Sequence, residues 1–264
     1  MSRPAVLRSL GGPGGFAAWA AAEGDVRVLF TGRGGTGGSR LDRRSILAAV
    51  AGEAGAALGT RAAPAVAGLR QVHGAVVLEA RGRGDLEHAD SDDGACGNGD
   101  ALVTGRRGLA LSVVTADCVP VLVAAGRRVA AIHAGWRGVV AGVVAATVGR
   151  LREVGAGEPT AWSAWIGPAI GGCCYEVGDD VAAAVAAAST PEAVLEGGRF
   201  RVGGASGDRP HVDLAAAVRH QLAAAGVERI GWRIACTRCD FDALWSHRRD
   251  GGGAGRNHAF VWRV

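Results

Sequence analysis

The stretch from Ala101 to His133 reads ALVTGRRGLALSVVTADCVPVLVAAGRRVAAIH. It holds four short apolar runs separated by turn-forming residues, at 101–104, 109–115, 119–125 and 128–133. Valine, leucine, isoleucine and alanine dominate these runs, which is typical of strands buried on both faces. The stretch therefore predicts consecutive strands of a mixed or antiparallel sheet.

The segments around this core alternate between strand and helix patterns. Apolar or alternating runs predict further strands at 25–31, 70–79, 161–166, 229–235 and 259–264, and alanine-rich runs predict helices at 42–56, 138–153, 176–188 and 212–225. The last helix is expected to begin after a cap at Asp208 or near His211. No linker divides the chain, so residues 1–264 are expected to form a single α/β domain with mixed sheets.

The composition indicates a globular protein. Hydrophobic residues make up 48% of the chain and charged residues 20%, which excludes a disordered chain. The net charge of +4 is too small to indicate nucleic acid as a partner. All 29 basic residues are arginine, whose guanidinium forms paired hydrogen bonds with the oxygens of a small anion such as phosphate.

The sequence gives no reason to expect a membrane partner. No apolar run reaches the length of a membrane span, and the apolar patch at 16–22 is too short for a convincing signal peptide. A cytoplasmic location is therefore expected. In that compartment the six cysteines are thiols, which serve as metal ligands or in catalysis more readily than as disulfides.

Three potential metal ligands, His73, Cys118 and His133, lie at the ends of predicted strands, where loops expose them. Two imidazoles and one thiolate are ligands that Zn²⁺ favours, and a three-ligand set leaves the fourth position open, as in catalytic zinc sites. The spacing alone fits no local template. Each histidine therefore also fits a hydrogen-bonded strand position, and Cys118 also fits an apolar core.

The other cysteines give a weaker metal or redox signal. Cys236 and Cys239 form a Cys-x-x-Cys pair, but no second such pair supplies the other two ligands, and charged residues replace the helix that should follow a redox pair. Cys173 and Cys174 are adjacent, so a disulfide between them would be strained. These four thiols are expected to be structural and to hold no metal.

Several ordered motifs resemble those of the multicopper polyphenol oxidase (laccase-domain) family, whose members are also named purine nucleoside phosphorylases and peptidoglycan editing factors. The motifs are FTGRGG at 30–35, QVH at 71–73, DALVT at 100–104, TADCVP at 115–120, HAGWRG at 133–138, IGPAI at 166–170, CYEV at 174–177, VDL at 212–214, CT at 236–237, SHRRD at 246–250 and GR at 255–256. Two departures are visible: the segment at 36–43 is shortened, and Leu244-Trp245 replaces two phenylalanines.

The resemblance implies an α/β/β/α layered sandwich with mixed sheets, and it implies that His73, Cys118 and His133 bind Zn²⁺. It also implies phosphorolysis of adenosine, inosine and methylthioadenosine, together with deamination of adenosine. Purine nucleosides and phosphate are then the expected ligands. The residues expected to bind substrate or to support the ligands are Arg33, Gln71, Asp117, Arg137, Ser246 and Arg248, with Arg249 as a further candidate for phosphate.

Their expected roles differ. The arginines are candidates for positioning phosphate, with Arg248 first and Arg33 second. Asp117 is expected to position His73 or His133, or to transfer a proton. Gln71 is expected either to orient substrate or a ligand, or to pack within its strand.

Three other functions stay open. A copper oxidase normally needs further copper ligands, and Met1 is the only methionine, although Cu²⁺ can also bind a zinc-type site. A metal-free hydrolase would use Cys118 as nucleophile and His133 as base. An editing role on peptidoglycan precursors is the third.

Overall fold

The computed structural model describes residues 4–9, 16–34, 64–81, 95–195, 209–232 and 235–264. The strands within these residues, numbered β1 to β15 in chain order, are Arg8–Ser9, Phe16–Glu23, Val26–Gly34, Ala65–Arg70, Val77–Glu79, Ala95–Asn98, Ala101–Thr104, Leu109–Thr115, Val119–Ala125, Arg128–Ala134, Ser163–Ile166, Val194–Leu195, His211–Val212, Arg229–Trp232 and Asn257–Arg263. Its α-helices, α1 to α5, are Trp136–Val140, Val143–Glu153, Asp179–Ala188, Leu214–Ala224 and His247–Asp250.

Two large mixed sheets and one short antiparallel pair, β12 with β13, contain these strands. The seven-stranded sheet has the order β1-β2-β3-β15-β8-β4-β6, and the six-stranded sheet has the order β14-β11-β9-β10-β7-β5. Strand β4 is parallel to β8 and β6, and β14 and β5 are parallel to their neighbours, whereas the remaining pairs in these sheets are antiparallel. The predicted α/β class with mixed sheets is confirmed.

The apolar core has two parts, one on each face of the six-stranded sheet. One cluster lies between the two sheets and includes Phe30, Leu111, Leu122 and Trp165. The other lies between the six-stranded sheet and the helices and includes Val121, Ile132, Val144 and Leu222. Because successive side chains of a strand point to opposite faces, apolar residues at consecutive positions bury both faces of β9 and β10.

The four apolar runs between Ala101 and His133 form β7 to β10 within one residue of their predicted bounds. The predicted helix at 138–153 is instead two helices, because Gly142 has a φ of 81° and interrupts the helical backbone between α1 and α2. Asp213, two residues after His211, caps α4 through a hydrogen bond from the Ala216 amide, so the cap predicted near His211 is confirmed, and Asp208 lies outside the described residues. The helix predicted at 42–56 lies outside the described residues.

The predicted strand at 70–79 is wrong in its middle. Strand β4 ends at Arg70 and β5 begins at Val77, so Gln71 and His73 lie in a loop. Val72 and Val76, whose apolar side chains suggested a strand, are instead half exposed in this loop. Among the described residues, no helix combines the length and apolarity that crossing a bilayer requires.

Candidate metal and nucleoside site

His73 lies in the loop between β4 and β5, and its φ is 61°, in the left-handed region. The buried carboxylate of Asp100 holds this loop by accepting backbone N–H groups from His73 at 2.9 Å and Gly74 at 2.6 Å. The Gln71 amide adds two bonds to the backbone of Val114, at 2.7 and 2.9 Å. The strained backbone of His73 is therefore fixed from both sides.

Cys118 lies in the turn between β8 and β9, next to Asp117, whose φ of 108° is also unusual for a residue with a side chain. The Asp117 carboxylate accepts the Thr237 hydroxyl at 2.5 Å and the Arg248 backbone N–H at 2.7 Å. These bonds come from segments more than a hundred residues away in the chain. They hold the turn in a conformation that places the Cys118 thiol beside the two histidines.

His133 is the next-to-last residue of β10 and pairs across the sheet with Pro120 of β9. Its Nδ1–H donates to Asp100 Oδ1 at 2.9 Å, which leaves Nε2 for the hydrogen bond between His133 and Cys118. The ring packs edge-on against His73 with 4.8 Å between ring centroids. The carboxylate that orients His133 is thus Asp100, not Asp117 as the sequence suggested.

One ligand atom each from His73, Cys118 and His133 lies within 4.8 Å of the other two. Ligands on one tetrahedral zinc ion lie roughly 3.3–3.8 Å apart, given zinc–ligand distances of about 2.0–2.3 Å. A small contraction would therefore suffice for all three to bind one ion. The donor set fits zinc with one position left open.

Gly135 keeps space next to two of these side chains. A Cβ at this position would lie 3.0 Å from the Cys118 sulfur and 3.1 Å from a ring carbon of His73. A side chain here would push both ligands, so the glycine follows from the close packing of the site.

Neighbouring groups shift the pKa values of Cys118, His133 and Asp100. Burial opposes ionisation of Cys118, but hydrogen bonds and charge from His133 and His73 outweigh it and lower the pKa of the thiol to about 7. Burial also opposes protonation of His133, yet Asp100 and Cys118 raise its pKa to about 9. The pKa of Asp100 is lowered despite its burial, because His133 and the backbone N–H groups of Gly74 and His73 bind the carboxylate. At neutral pH the Cys118 thiol is therefore far more ionised than an ordinary cysteine.

A cavity of about 500 Å³ opens directly above the three side chains. Its lining residues besides the three are Leu69, Gln71, Val114, Thr115, Ala116, Asp117, Tyr175, His247, Arg248 and Arg256. This volume suits a small organic ligand, and the wall combines apolar groups with a few polar ones. A larger groove of about 1340 Å³ beside Trp232 shares no lining residue with it and holds no comparable cluster among the described residues.

Arg248 is the predicted phosphate-binding residue that lines this cavity. It is exposed, its guanidinium lies 5.1 Å from the Tyr175 ring centroid, and one Nη donates to the Glu176 carbonyl at 2.8 Å. Gln71 and Asp117 also line the cavity, although their polar atoms bond to the protein as described above.

The other predicted substrate-binding residues do not line it. Arg33 stacks on Trp245 and donates to the Phe241 carbonyl. Arg137 is exposed and lies over the Trp136 ring. The buried Ser246 hydroxyl caps α5 by accepting the N–H of Arg249 at 3.2 Å.

Arg249, the further candidate, does not line the cavity either. It pairs with Asp250 and donates to the carbonyl oxygens of Thr237, Arg238 and Leu244. Its guanidinium therefore stabilises the local fold.

Asp100 and Tyr175 are among the residues of the site that sequence reasoning missed. Asp100, which is fully buried, had a signal: a carboxylate directly before a buried strand must find hydrogen-bond donors. Tyr175 follows the adjacent cysteines and forms part of the cavity wall.

The expectation that Cys236 and Cys239 lack partners is wrong. The sulfurs of Cys173, Cys174, Cys236 and Cys239 form a second group in which all four lie within 4.8 Å of one another. The adjacent cysteines supply the second pair that the spacing did not reveal.

The chain is similar to known proteins in both sequence and structure. The model of the family described as multi-copper polyphenol oxidoreductase laccase matches residues 35–264. A purine nucleoside phosphorylase of Deinococcus radiodurans is 42% identical over 209 residues, covering 78% of this chain and 73% of its own, and the purine nucleoside phosphorylase YfiH of Escherichia coli is 36% identical over 74% and 73%. The crystal structure of the hypothetical protein YfiH of Bacillus licheniformis matches with a TM-score of 0.77 and 26% identity, over 98% of this chain and 99% of its own.

Proposed function

The chain belongs to the multi-copper polyphenol oxidoreductase laccase family, and within it we propose that this protein is a zinc-dependent purine nucleoside phosphorylase. The substrates would be adenosine, inosine and S-methyl-5′-thioadenosine, with a secondary deamination of adenosine. The observation that carries the proposal is the convergence of His73, Cys118 and His133 at the base of a nucleoside-sized cavity. The names of curated relatives from Deinococcus radiodurans and Escherichia coli support the same reaction.

His73, Cys118 and His133 would hold the zinc ion. When bound, such an ion supplies a Lewis acid that polarises an oxygen ligand and lowers the pKa of water to about 7. Asp100 positions both histidines in the absence of a metal ion. Its carboxylate accepts a hydrogen bond from the Nδ1–H of His133 and another from the backbone N–H of His73, so that Nε2 of His133 faces the position of the ion.

Arg248 is our candidate for phosphate. Its backbone is fixed by Asp117 and one Nη by Glu176, and within the described part of the chain its remaining guanidinium N–H groups have no protein acceptor. An arginine with free donors in a cavity wall can pair with phosphate oxygens beside the sugar. Leu69, Val114 and Tyr175 provide apolar surface for the purine.

A metal-free cysteine hydrolase is the second candidate, and one observation favours it. Cys118 lies within hydrogen-bonding reach of His133, and its pKa is lowered to about 7, as a nucleophilic thiol requires. A copper oxidase remains an alternative through the family's description, with Cu²⁺ in the same three-ligand site.

Metal analysis combined with activity separates these candidates. Protein purified without added metal is expected to contain zinc and to release adenine from adenosine. His73→Ala, Cys118→Ala and His133→Ala should each lose the zinc ion of this site together with adenine release, because a three-ligand site has no spare ligand. Full activity in a metal-free His73→Ala protein would instead support the hydrolase, and copper with oxidation of phenols would support the oxidase.

A further inference from the structure

Four cysteines from two distant segments meet beside the nucleoside cavity. Cys173 and Cys174 follow β11, and Cys236 and Cys239 follow β14. A backbone bridge between Ala169 and Cys236 and a hydrogen bond from the Thr237 N–H to the Ala169 carbonyl at 3.0 Å hold the two segments together. The four sulfurs lie within 4.8 Å of one another.

The distances between these sulfurs match a shared metal ion better than a disulfide. Cys173 lies 3.7 Å from Cys174 and 3.7 Å from Cys239, and Cys174 lies 3.4 Å from Cys239. A disulfide needs about 2.05 Å. Tetrahedral zinc with sulfur ligands at about 2.3 Å places the sulfurs roughly 3.8 Å apart.

Backbone donors surround the sulfur of Cys236. The Gly171 N–H donates to it at 3.3 Å, and the backbone N–H groups of Arg238 and Cys239 also interact with it. Such bonds stabilise a thiolate, the form in which cysteine binds a metal. The Cys-x-x-Cys spacing of Cys236 and Cys239 is also the ligand spacing of structural zinc sites.

We propose that Cys173, Cys174, Cys236 and Cys239 form a second, structural zinc site with all four positions closed. The ion would tie the loop after β11 to the segment after β14. Both segments reach the nucleoside cavity: Tyr175 lines its wall, and the Thr237 hydroxyl bonds the Asp117 carboxylate next to Cys118. The site thus fixes one wall of the cavity and takes no part in chemistry, and it does not depend on the proposed function.

The test is a zinc count on the full chain, purified under reducing conditions. We expect about two zinc ions per chain in the unmodified protein, and about one each in Cys239→Ser and in His73→Ala, since each removes a ligand of a different site. X-ray absorption at the zinc edge of His73→Ala should then show sulfur ligands alone, at about 2.3 Å. Cys96→Ser, which changes a cysteine outside the group, is the matched control and should keep both ions.

Cys239 is the exposed member of the group, so Cys239→Ser should fold, and its thermal midpoint should lie below that of Cys96→Ser. The proposal is overturned if the unmodified protein and Cys239→Ser bind the same amount of zinc. It is also overturned if His73→Ala holds no zinc, or if mass spectrometry finds a disulfide among the four cysteines of native protein that has not been treated with reductant. If His73→Ala keeps one zinc ion but the unmodified protein has no nucleoside activity, the proposed function is rejected and the structural zinc site is not.

Discussion

Asp100 binds His133 through a side-chain contact of 2.9 Å, and the same carboxylate also accepts the backbone N–H groups of His73 and Gly74. One buried acid therefore orients both histidines of the candidate metal site. Its own pKa is lowered although burial opposes this, because every one of these bonds favours the charged form. Removing that charge should affect both histidines together.

We expect Asp100→Asn to weaken zinc binding by about 10- to 100-fold, the usual effect of losing a group that orients a metal ligand. Competition with a chromophoric chelator measures this affinity. Asp25→Asn is the matched control, because Asp25 is also an ion-paired acid but bonds Arg263 and Arg107 away from the cavity. Unchanged zinc affinity in Asp100→Asn would mean that the histidines are positioned by other contacts.

Gly135→Ala is expected to lower zinc affinity without unfolding the protein. The added methyl would lie 3.0 Å from the Cys118 sulfur and 3.1 Å from the His73 ring, so the ligands must move by a few tenths of an ångström. Gly149→Ala in α2 is the control, since its Cβ would meet nothing within 4 Å and alanine favours a helix by roughly 1 kcal/mol. Equal zinc affinity in both variants would show that the site tolerates this displacement.

How far the sequence predicts this structure depends on how local each signal is. The runs that became β7 to β10 are predictable because each is apolar on both faces and bounded by turns. The loop of His73 is not, because Asp100 binds its backbone from 27 residues away and prevents the apparent strand. The family motifs indicate the three candidate metal ligands before any geometry is known.

The four-cysteine group shows the limit of spacing arguments. Cys174 and Cys239 are 65 residues apart, and the pairing of β11 with β14 and of Ala169 with Cys236 brings their segments together. Arg33 and Ser246 show the opposite case: both lie in family motifs, yet their polar groups bond neighbouring backbone atoms. A family motif therefore does not distinguish residues that bind substrate from residues that stabilise the fold.

Arg248→Ala is expected to impair phosphorolysis much more than deamination, because only phosphorolysis needs a phosphate ion beside the sugar. Loss of a charged hydrogen bond in such a site costs on the order of 2–4 kcal/mol, or roughly 30- to 1000-fold in rate, with a raised KM for phosphate. Both reactions are measured over a range of phosphate concentrations. Arg33→Ala, outside the cavity, should leave the phosphate KM unchanged, and equal loss of both reactions in Arg248→Ala would contradict the assignment.

The thiol of Cys118 should react at lower pH than an ordinary cysteine in the metal-free protein. Its pKa is lowered to about 7, so the thiolate fraction, and with it the alkylation rate by iodoacetamide, should rise through pH 7 rather than near the usual value of 9.0. Peptide mass spectrometry separates Cys118 from the other thiols. His73→Ala should move the midpoint upward, because one stabilising partner is lost; a midpoint near 9 in the unmodified protein would contradict the proposed environment.

The proposed reaction of this site is transfer of the sugar of a purine nucleoside to phosphate. The direct measurement follows adenine, hypoxanthine and ribose 1-phosphate from adenosine and inosine, with and without phosphate, on protein whose zinc content is known. We predict base release that requires phosphate, yields ribose 1-phosphate in equal amount, disappears when zinc is removed and returns when it is restored. Zinc-loaded protein that releases no base, or releases it equally well without phosphate, would contradict the account.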